Sequence, residues 1–269
     1  MPNSESKINC TVGILTFNSD KVLRRALESV KEFNEIIICD GGSNDETLNI
    51  ARAYGCKIIF QNPDFKKESG RIKNFGGVRN QMLDASTNDW YLYLDSDEYI
   101  GEDLKEEIRD IIENNIPAVY WMSRKYVVSG KIIDCATTYP NRQVRFFNKK
   151  STNRFIKEIH ERIETKSDAL ILNLKNCMYV PMDVTKEEVR KKWNYYIDLE
   201  CERRGDLSFF QWLWTCLNNS KISLLFFYRL LRNAIFCKGN KMPLWFEMER
   251  HIYHLNICKR FFKKITKLF

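Results

Sequence analysis

Trp90-Tyr91-Leu92-Tyr93-Leu94-Asp95-Ser96-Asp97-Glu98 runs an apolar stretch straight into three carboxylates within four positions. In an extended backbone, residues two apart point the same way, so Asp95 and Asp97 present both carboxylates on one side of the strand end. Two anions held that close repel. A hard divalent cation with oxygen ligands relieves the repulsion, and Mg²⁺ usually takes one or two carboxylates plus the phosphates of its substrate. The same residues also suit a helix start, with Ser96 as cap and acids favoured by the dipole.

Outward from that run, 269 residues with 44% hydrophobic composition suffice for one large α/β domain, or a domain plus an appendage. Val12 to Phe17 is followed by helical spacing at Val22, Leu23, Ala26, Leu27 and Val30. Ile36-Ile37-Ile38-Cys39 precedes a helix from Thr47 to Ala53. Lys57-Ile58-Ile59-Phe60 precedes a second from about Lys73 to Ala85, and then comes Trp90 to Leu94. This alternation predicts an α/β fold: a mostly parallel sheet with helices on both faces. Ligands of such sheets sit beyond the carboxyl ends of the strands. Three ends carry polar residues: Thr16-Phe17-Asn18, Asp40-Gly41-Gly42-Ser43-Asn44-Asp45 and Asp95-Ser96-Asp97. The Asp40 loop permits a sharp turn and close approach of a ligand, and it equally suits a turn with Ser43 or Asn44 capping a helix.

Together these residues resemble the family-2 nucleotide-diphospho-sugar glycosyltransferases of GT-A, Rossmann-like fold. The resemblance covers about residues 8 to 165. It rests on Ile14-Leu15-Thr16-Phe17-Asn18 with Leu27-Glu28-Ser29-Val30, on Asp40 to Thr47, on Gly77-Val78-Arg79-Asn80, and on the D-x-D-type Asp95-Ser96-Asp97-Glu98. Tyr139-Pro140-Asn141-Arg142-Gln143-Val144-Arg145-Phe146-Phe147 and His160-Glu161-Arg162-Ile163 look like the branch that includes lipopolysaccharide-core glucosyltransferases. The Q-x-x-R-W element of processive synthases is missing, since Arg190-Lys191-Lys192-Trp193 lacks the glutamine. Transfer of a single sugar is therefore expected.

The resemblance implies roles position by position. Thr16, Phe17, Asn18 and Asp40 bind the donor base, with Phe17 able to stack where the family often has tyrosine. An Asp40 acceptor would prefer a uracil or guanine imide N–H, so uridine or guanosine diphosphate sugars are expected donors. Arg71 and Arg79 reach the base or diphosphate, since guanidinium forks suit phosphate, or else are surface arginines. Asp95 and Ser96 face the donor ribose, and Asp97, with Asp95, holds Mg²⁺ or Mn²⁺. Inverting transfer needs a base for the acceptor hydroxyl. Glu161 is the candidate, with His160 beside it as base, acceptor contact or structural histidine, and Asp134 as a weaker alternative.

Charge divides the chain. Residues 1–185 hold 26 basic and 27 acidic side chains, giving −1, whereas residues 186–269 hold 17 and 8, giving +9. The expected organisation is a catalytic domain over residues 1–183 and a helical extension over residues 184–269, opening on the capping-box pattern Thr185-Lys186-Glu187-Glu188. The extension is aromatic as well as basic, which suits the interface of an anionic membrane, or packing on the catalytic domain or an oligomer partner. No stretch is apolar enough to span a bilayer, because Asn218 to Lys221, Arg229 and Arg232 interrupt the candidates. Nucleic acid is not expected: no recognition motif is present and the front domain is slightly acidic. Nine scattered cysteines without C-x-x-C spacing read as reduced core residues, and the polar N-terminus shows no signal peptide. A cytoplasmic enzyme peripheral on the inner membrane face is the resulting expectation.

Overall fold

The computed structural model describes residues 7–265. The chain first lays down β1 (Ile8–Thr16), α1 (Asp20–Val30), β2 (Phe33–Asp40), α2 (Thr47–Ala53), β3 (Lys57–Phe60), α3 (Phe75–Ala85) and β4 (Trp90–Asp95). Then follow β5 (Tyr99–Ile100), α4 (Glu102–Asn114), β6 (Val119–Val128), β7 (Lys131–Ile132) and β8 (Arg142–Asn148). After β9 (Thr152–Ile156), β10 (Arg162–Thr165) and β11 (Ile171–Pro181) come three long helices: α5 (Lys186–Arg204), α6 (Phe209–Phe236) and α7 (Leu244–Ile265).

The main sheet has the order β3-β2-β1-β4-β8-β6-β11-β5, with β7 paired to β6. From β3 to β4 every pairing is parallel, as the alternating sequence predicts. Beyond β4 the pairs β4–β8, β6–β8 and β5–β11 are antiparallel. Both faces of the parallel half are covered. Ile36, Ile38, Leu92 and Leu94 pack with α1, α2 and α4 residues such as Leu27, Ile50 and Ile108. The intervening Ile37, Cys39, Tyr91 and Tyr93 pack with Val78 and Met82 of α3 and with Phe155 and Ile163 of the β9–β10 hairpin. A near-continuous apolar strand is what burial on both faces requires, and each fully buried Leu or Ile contributes about 1.5–3 kcal/mol.

The chain divides into two compact units. One contains the residues up to Lys125 together with Pro140–Pro181, and the other contains Tyr126–Tyr139 and everything from Met182. Tyr126–Tyr139, expected within the catalytic domain, therefore belongs with the helical unit. There Ile133 and Ala136 share a core with Val189, Met242 and Phe246. Thr185 forms the capping box with Glu188. The cysteine expectation also needs correction. Cys135 and Cys237, 102 residues apart, are disulfide-bonded, while the other seven are free. Met242 N–H donates to Cys135 C=O at 3.0 Å and Asp134 N–H to Asn240 C=O at 2.8 Å, so the clasp has hydrogen bonds independent of the sulfurs.

Gly76 in α3 sits against the loop that leads to Glu161: a Cβ there would lie 2.5 Å from the Lys157 carbonyl oxygen. Alanine normally stabilises a helix interior by roughly 1 kcal/mol over glycine. Here the clash is with backbone and should prevail. Gly76→Ala is expected to destabilise by about 1–3 kcal/mol, read as a lowered thermal midpoint; a raised midpoint would contradict the contact.

Candidate active site

Three strand ends expected to carry the chemistry are tied to one another. Thr16 Oγ1 donates to Asp40 Oδ2 at 2.8 Å, joining β1 to β2. Asn18 takes a left-handed backbone, φ 48°, which lets its N–H donate to Ser43 Oγ at 2.8 Å while its Oδ1 accepts from Asn44 N–H at 2.9 Å. Ser19 Oγ meets Ser96 Oγ at 3.1 Å, joining β1 to the turn after β4. Phe17 projects from this junction with 59% exposure and packs its inner edge on Gly41.

Asp40 is held by its own loop and by β1. It is fully buried, and its carboxylate accepts from Gly42 N–H, Ser43 N–H, Ser43 Oγ and Thr16 Oγ1 at 2.6–2.8 Å. Three of these donors come from the loop and one from Thr16 at the end of β1, so Asp40 holds its own loop against β1. Arg71 lies exposed in the segment before α3, its carbonyl accepting from Lys67 N–H.

At the end of β4 a buried ion cluster gathers residues far apart in sequence. Arg79 reaches down from α3, 2% exposed, and pairs its Nη2 with Asp95 Oδ1. Its Nε donates to Glu161 Oε1 at 3.4 Å and its Nη1 to the Leu94 carbonyl at 3.4 Å. Arg145 comes from β8, 3% exposed, and its Nη2 meets Asp95 Oδ2 at 3.2 Å and Glu98 Oε1 at 3.3 Å. Arg124 Nη1, from the third guanidinium of the cluster, meets Glu98 Oε1 at 3.2 Å. Tyr93 lies between the two central arginines, with its ring centroid 4.7 Å from Arg79 Cζ and 4.6 Å from Arg145 Cζ. Both distances are within cation–π range.

Alternation along β4 explains the arrangement: Tyr93 and Asp95 share a face, so any cation that reaches one reaches the other. Burial raises the Asp95 carboxyl, but Arg145 and Arg79 more than offset it and hold it well below the ordinary carboxylate range. For Glu98, burial wins over Arg145 and pushes the carboxyl up. Both Asp95 oxygens thus face guanidinium groups, which disfavours a metal beside them. Asp97, half-buried in the turn just beyond, is the carboxylate that fits a hard cation. One carboxylate plus phosphate oxygens is a sufficient donor set for Mg²⁺.

Glu161 follows the β9–β10 turn, its side chain 18% exposed. That turn holds Lys157 (φ 71°) and His160 (φ 56°) in the left-handed region, a conformation costly for residues with a side chain. It is braced by Phe75 N–H donating to the Glu158 carbonyl at 2.8 Å. His160 is exposed, and its backbone contributes to aiming Glu161. Asp134 is not with these residues: it lies in the helical unit, where its carboxylate accepts from Asn240 N–H at 3.0 Å.

Arg145, Glu98, Arg124 and Tyr93 had no role in the sequence reading. One signal for Arg145 was present: an arginine directly before Phe146-Phe147 in an apolar strand needs a buried anion. Arg145→Met should leave Glu98 and Asp95 short of a partner and destabilise by about 3–5 kcal/mol; a midpoint near that of the parent would contradict the network. Asp95 also predicts an acid response. With a depressed folded-state value, its contribution is present above its unfolded value near about 4 and lost as pH falls towards the folded one. The drop in thermal midpoint from about pH 5 to about pH 3 should be smaller in Asp95→Asn than in the parent.

Residues 11–171 match the family described as Glycosyl transferase family 2. Among curated proteins, the SPbeta prophage-derived glycosyltransferase SunS of Bacillus subtilis (strain 168) is 28% identical over 170 residues, covering 61% of this chain and 38% of SunS. An uncharacterized glycosyltransferase of Rickettsia typhi is 25% identical over 197 residues, covering 68% of this chain and 63% of its own length. The chain thus spans less than two-thirds of the length of these relatives. Among solved structures, S. aureus TarS 1–349 aligns over 93% of this chain and 80% of its own, with 18% identity and a TM-score of 0.47. With more than half of its length matched by the family, the chain belongs to glycosyl transferase family 2.

Proposed function

We propose that this protein is a metal-dependent, inverting glycosyltransferase that moves a single sugar from a nucleotide diphosphate donor to a glycan or lipid-linked acceptor, in cell-surface polysaccharide or lipopolysaccharide synthesis. The observation that carries the proposal is Arg79, which contacts Asp95 on one side and Glu161 on the other. A single guanidinium thereby links the donor end of β4 to the carboxylate proposed as base, although the two acids are 66 positions apart in sequence.

In this reading Phe17 stacks on the base and Asp40 bounds its edge, with uridine preferred over guanosine. Asp97 holds Mg²⁺ or Mn²⁺, which when bound stabilises the negative charge growing on the leaving diphosphate. Asp95 and Ser96 line the ribose side. Glu161 takes the proton of the attacking hydroxyl, and Arg79 keeps that carboxylate oriented. UDP-GlcNAc and UDP are bound in structures of S. aureus TarS, and UDP with Mn²⁺ in one of a mycobacterial glucosyl-3-phosphoglycerate synthase; a uridine donor here is our extension. No helix among the described residues is long and apolar enough to cross a membrane. The basic, aromatic C-terminal helices support attachment at the inner face of an anionic membrane, where sugar nucleotides meet lipid-linked acceptors.

The test is thermal stability of the full chain with uridine, guanosine, cytidine or thymidine diphosphate, each with and without Mn²⁺. A ligand at 100 times its dissociation constant should stabilise by about 2.7 kcal/mol, for uridine diphosphate above all. Asp97→Ala should abolish the metal-dependent part. Glu161→Gln should keep the nucleotide shift and lose turnover by at least about 100-fold. A Glu161→Gln protein with full turnover would remove Glu161 as base, and no shift with any nucleotide would favour a non-catalytic module on the same fold.

A further inference from the structure

α6 is inside out. Its 28 residues rise over roughly 42 Å. At about 100° per residue, Phe210, Trp214, Leu217, Leu224, Tyr228 and Ile235 fall on one narrow stripe along its whole length. All six are exposed, Phe210 by 79% and Ile235 by 73%. The opposite side packs on α7 through Trp212 and Phe226 and also through polar residues. Thr215 is buried, Asn219 Oδ1 faces His254 Nδ1 at 2.7 Å, and Ser223 Oγ faces His251 Nδ1 at 2.7 Å, both across to α7. A helix that satisfies polar side chains inwardly while holding aromatic and aliphatic residues outward is patterned for an apolar surrounding on its outer face.

Charge identifies the occupant. Between Leu207 and Phe246 the chain has Lys221, Arg229, Arg232, Lys238 and Lys241, and no acidic residue. Lys221 and Arg232 lie on the stripe itself and are exposed, and the Lys221 ammonium lies 5.8 Å from the Trp214 ring centroid. A second copy of this chain laid against the stripe with two-fold symmetry would bring like charges together with no carboxylate to answer them. An anionic lipid leaflet answers all of them. Apolar side chains enter the acyl boundary, ring edges sit at headgroup depth, and Lys221 and Arg232 extend to lipid phosphate. We infer that α6 is the membrane-docking element of this protein, lying in the plane of an anionic leaflet with the stripe from Phe210 to Ile235 submerged. The inference rests on the membrane attachment proposed above and assigns it to one helix face.

Co-sedimentation of the full chain with vesicles tests it, comparing phosphatidylcholine alone with phosphatidylcholine mixed with phosphatidylglycerol. The parent should partition at least about tenfold more strongly to the mixed vesicles, and added salt should weaken the preference. Leu217→Glu/Leu224→Glu alters two exposed positions, so its thermal midpoint should match the parent while partitioning falls about tenfold or more. Lys221→Glu/Arg232→Glu should lose the anionic preference. Equal partitioning of the leucine variant and the parent overturns the assignment to α6. A parent that ignores all vesicles but is still stabilised by nucleotide overturns membrane docking and leaves the transferase reading standing. A parent dimer that the leucine variant dissociates, without vesicle binding, makes a second copy the occupant and also overturns it.

Discussion

Burying a guanidinium is tolerable only beside an anion, and at the end of β4 two are buried together. Arg79 and Arg145 are each almost inaccessible, and both depend on Asp95. Removing one charge from such a group costs more than its contacts suggest, because the partners stay buried without it. The cluster therefore fixes α3, β4, β8 and the Glu161 turn relative to one another. Glu98 ties in β6 through Arg124. The parallel half of the sheet and the antiparallel half meet at this point, at the β4–β8 pair. The same salt bridges that join the two halves also hold the residues proposed to act on the donor.

Much of this was visible in the residues. Short continuous apolar runs located β1 to β4, period-3.6 apolar spacing located their helices, and polar punctuation located the three strand ends that converge. The capping box at Thr185 marked the start of α5. Other features are not local. Strand direction after β4 is set by pairing partners, and β8 carries no spacing signal that would distinguish antiparallel from parallel. The four donors that converge on Asp40 come from β1 and from its own loop, and only the fold brings them together. Cys135 and Cys237 have no motif, since they meet through a loop of 102 positions. Arg145 lies within an apolar strand, and its partners Asp95 and Glu98 lie on β4 and in the turn beyond it.

Of the left-handed non-glycine residues, Asn115 and Ser129 shape turns elsewhere, and the others lie by the proposed site. The left-handed residues Asn18 and His160 each lie beside a proposed ligand contact, Phe17 and Glu161. Each is held by hydrogen bonds from another element: the Asn18 side chain by the Asp40 loop, and the His160 turn by the start of α3. A turn overdetermined in this way aims its neighbour in one direction, which reduces the reorganisation needed when a substrate arrives.

The helical unit is discontinuous along the chain, and that has a consequence for synthesis. Ile133 and Ala136 are made early, between strands of the sheet, whereas Met242 and Phe246, which complete their core, are made more than a hundred residues later. At ribosomal speeds of about 5–20 residues per second, the hairpin waits several seconds for Met242 and Phe246, with Val189 arriving in between. A truncation ahead of Met242 would leave this core without two of its five buried residues.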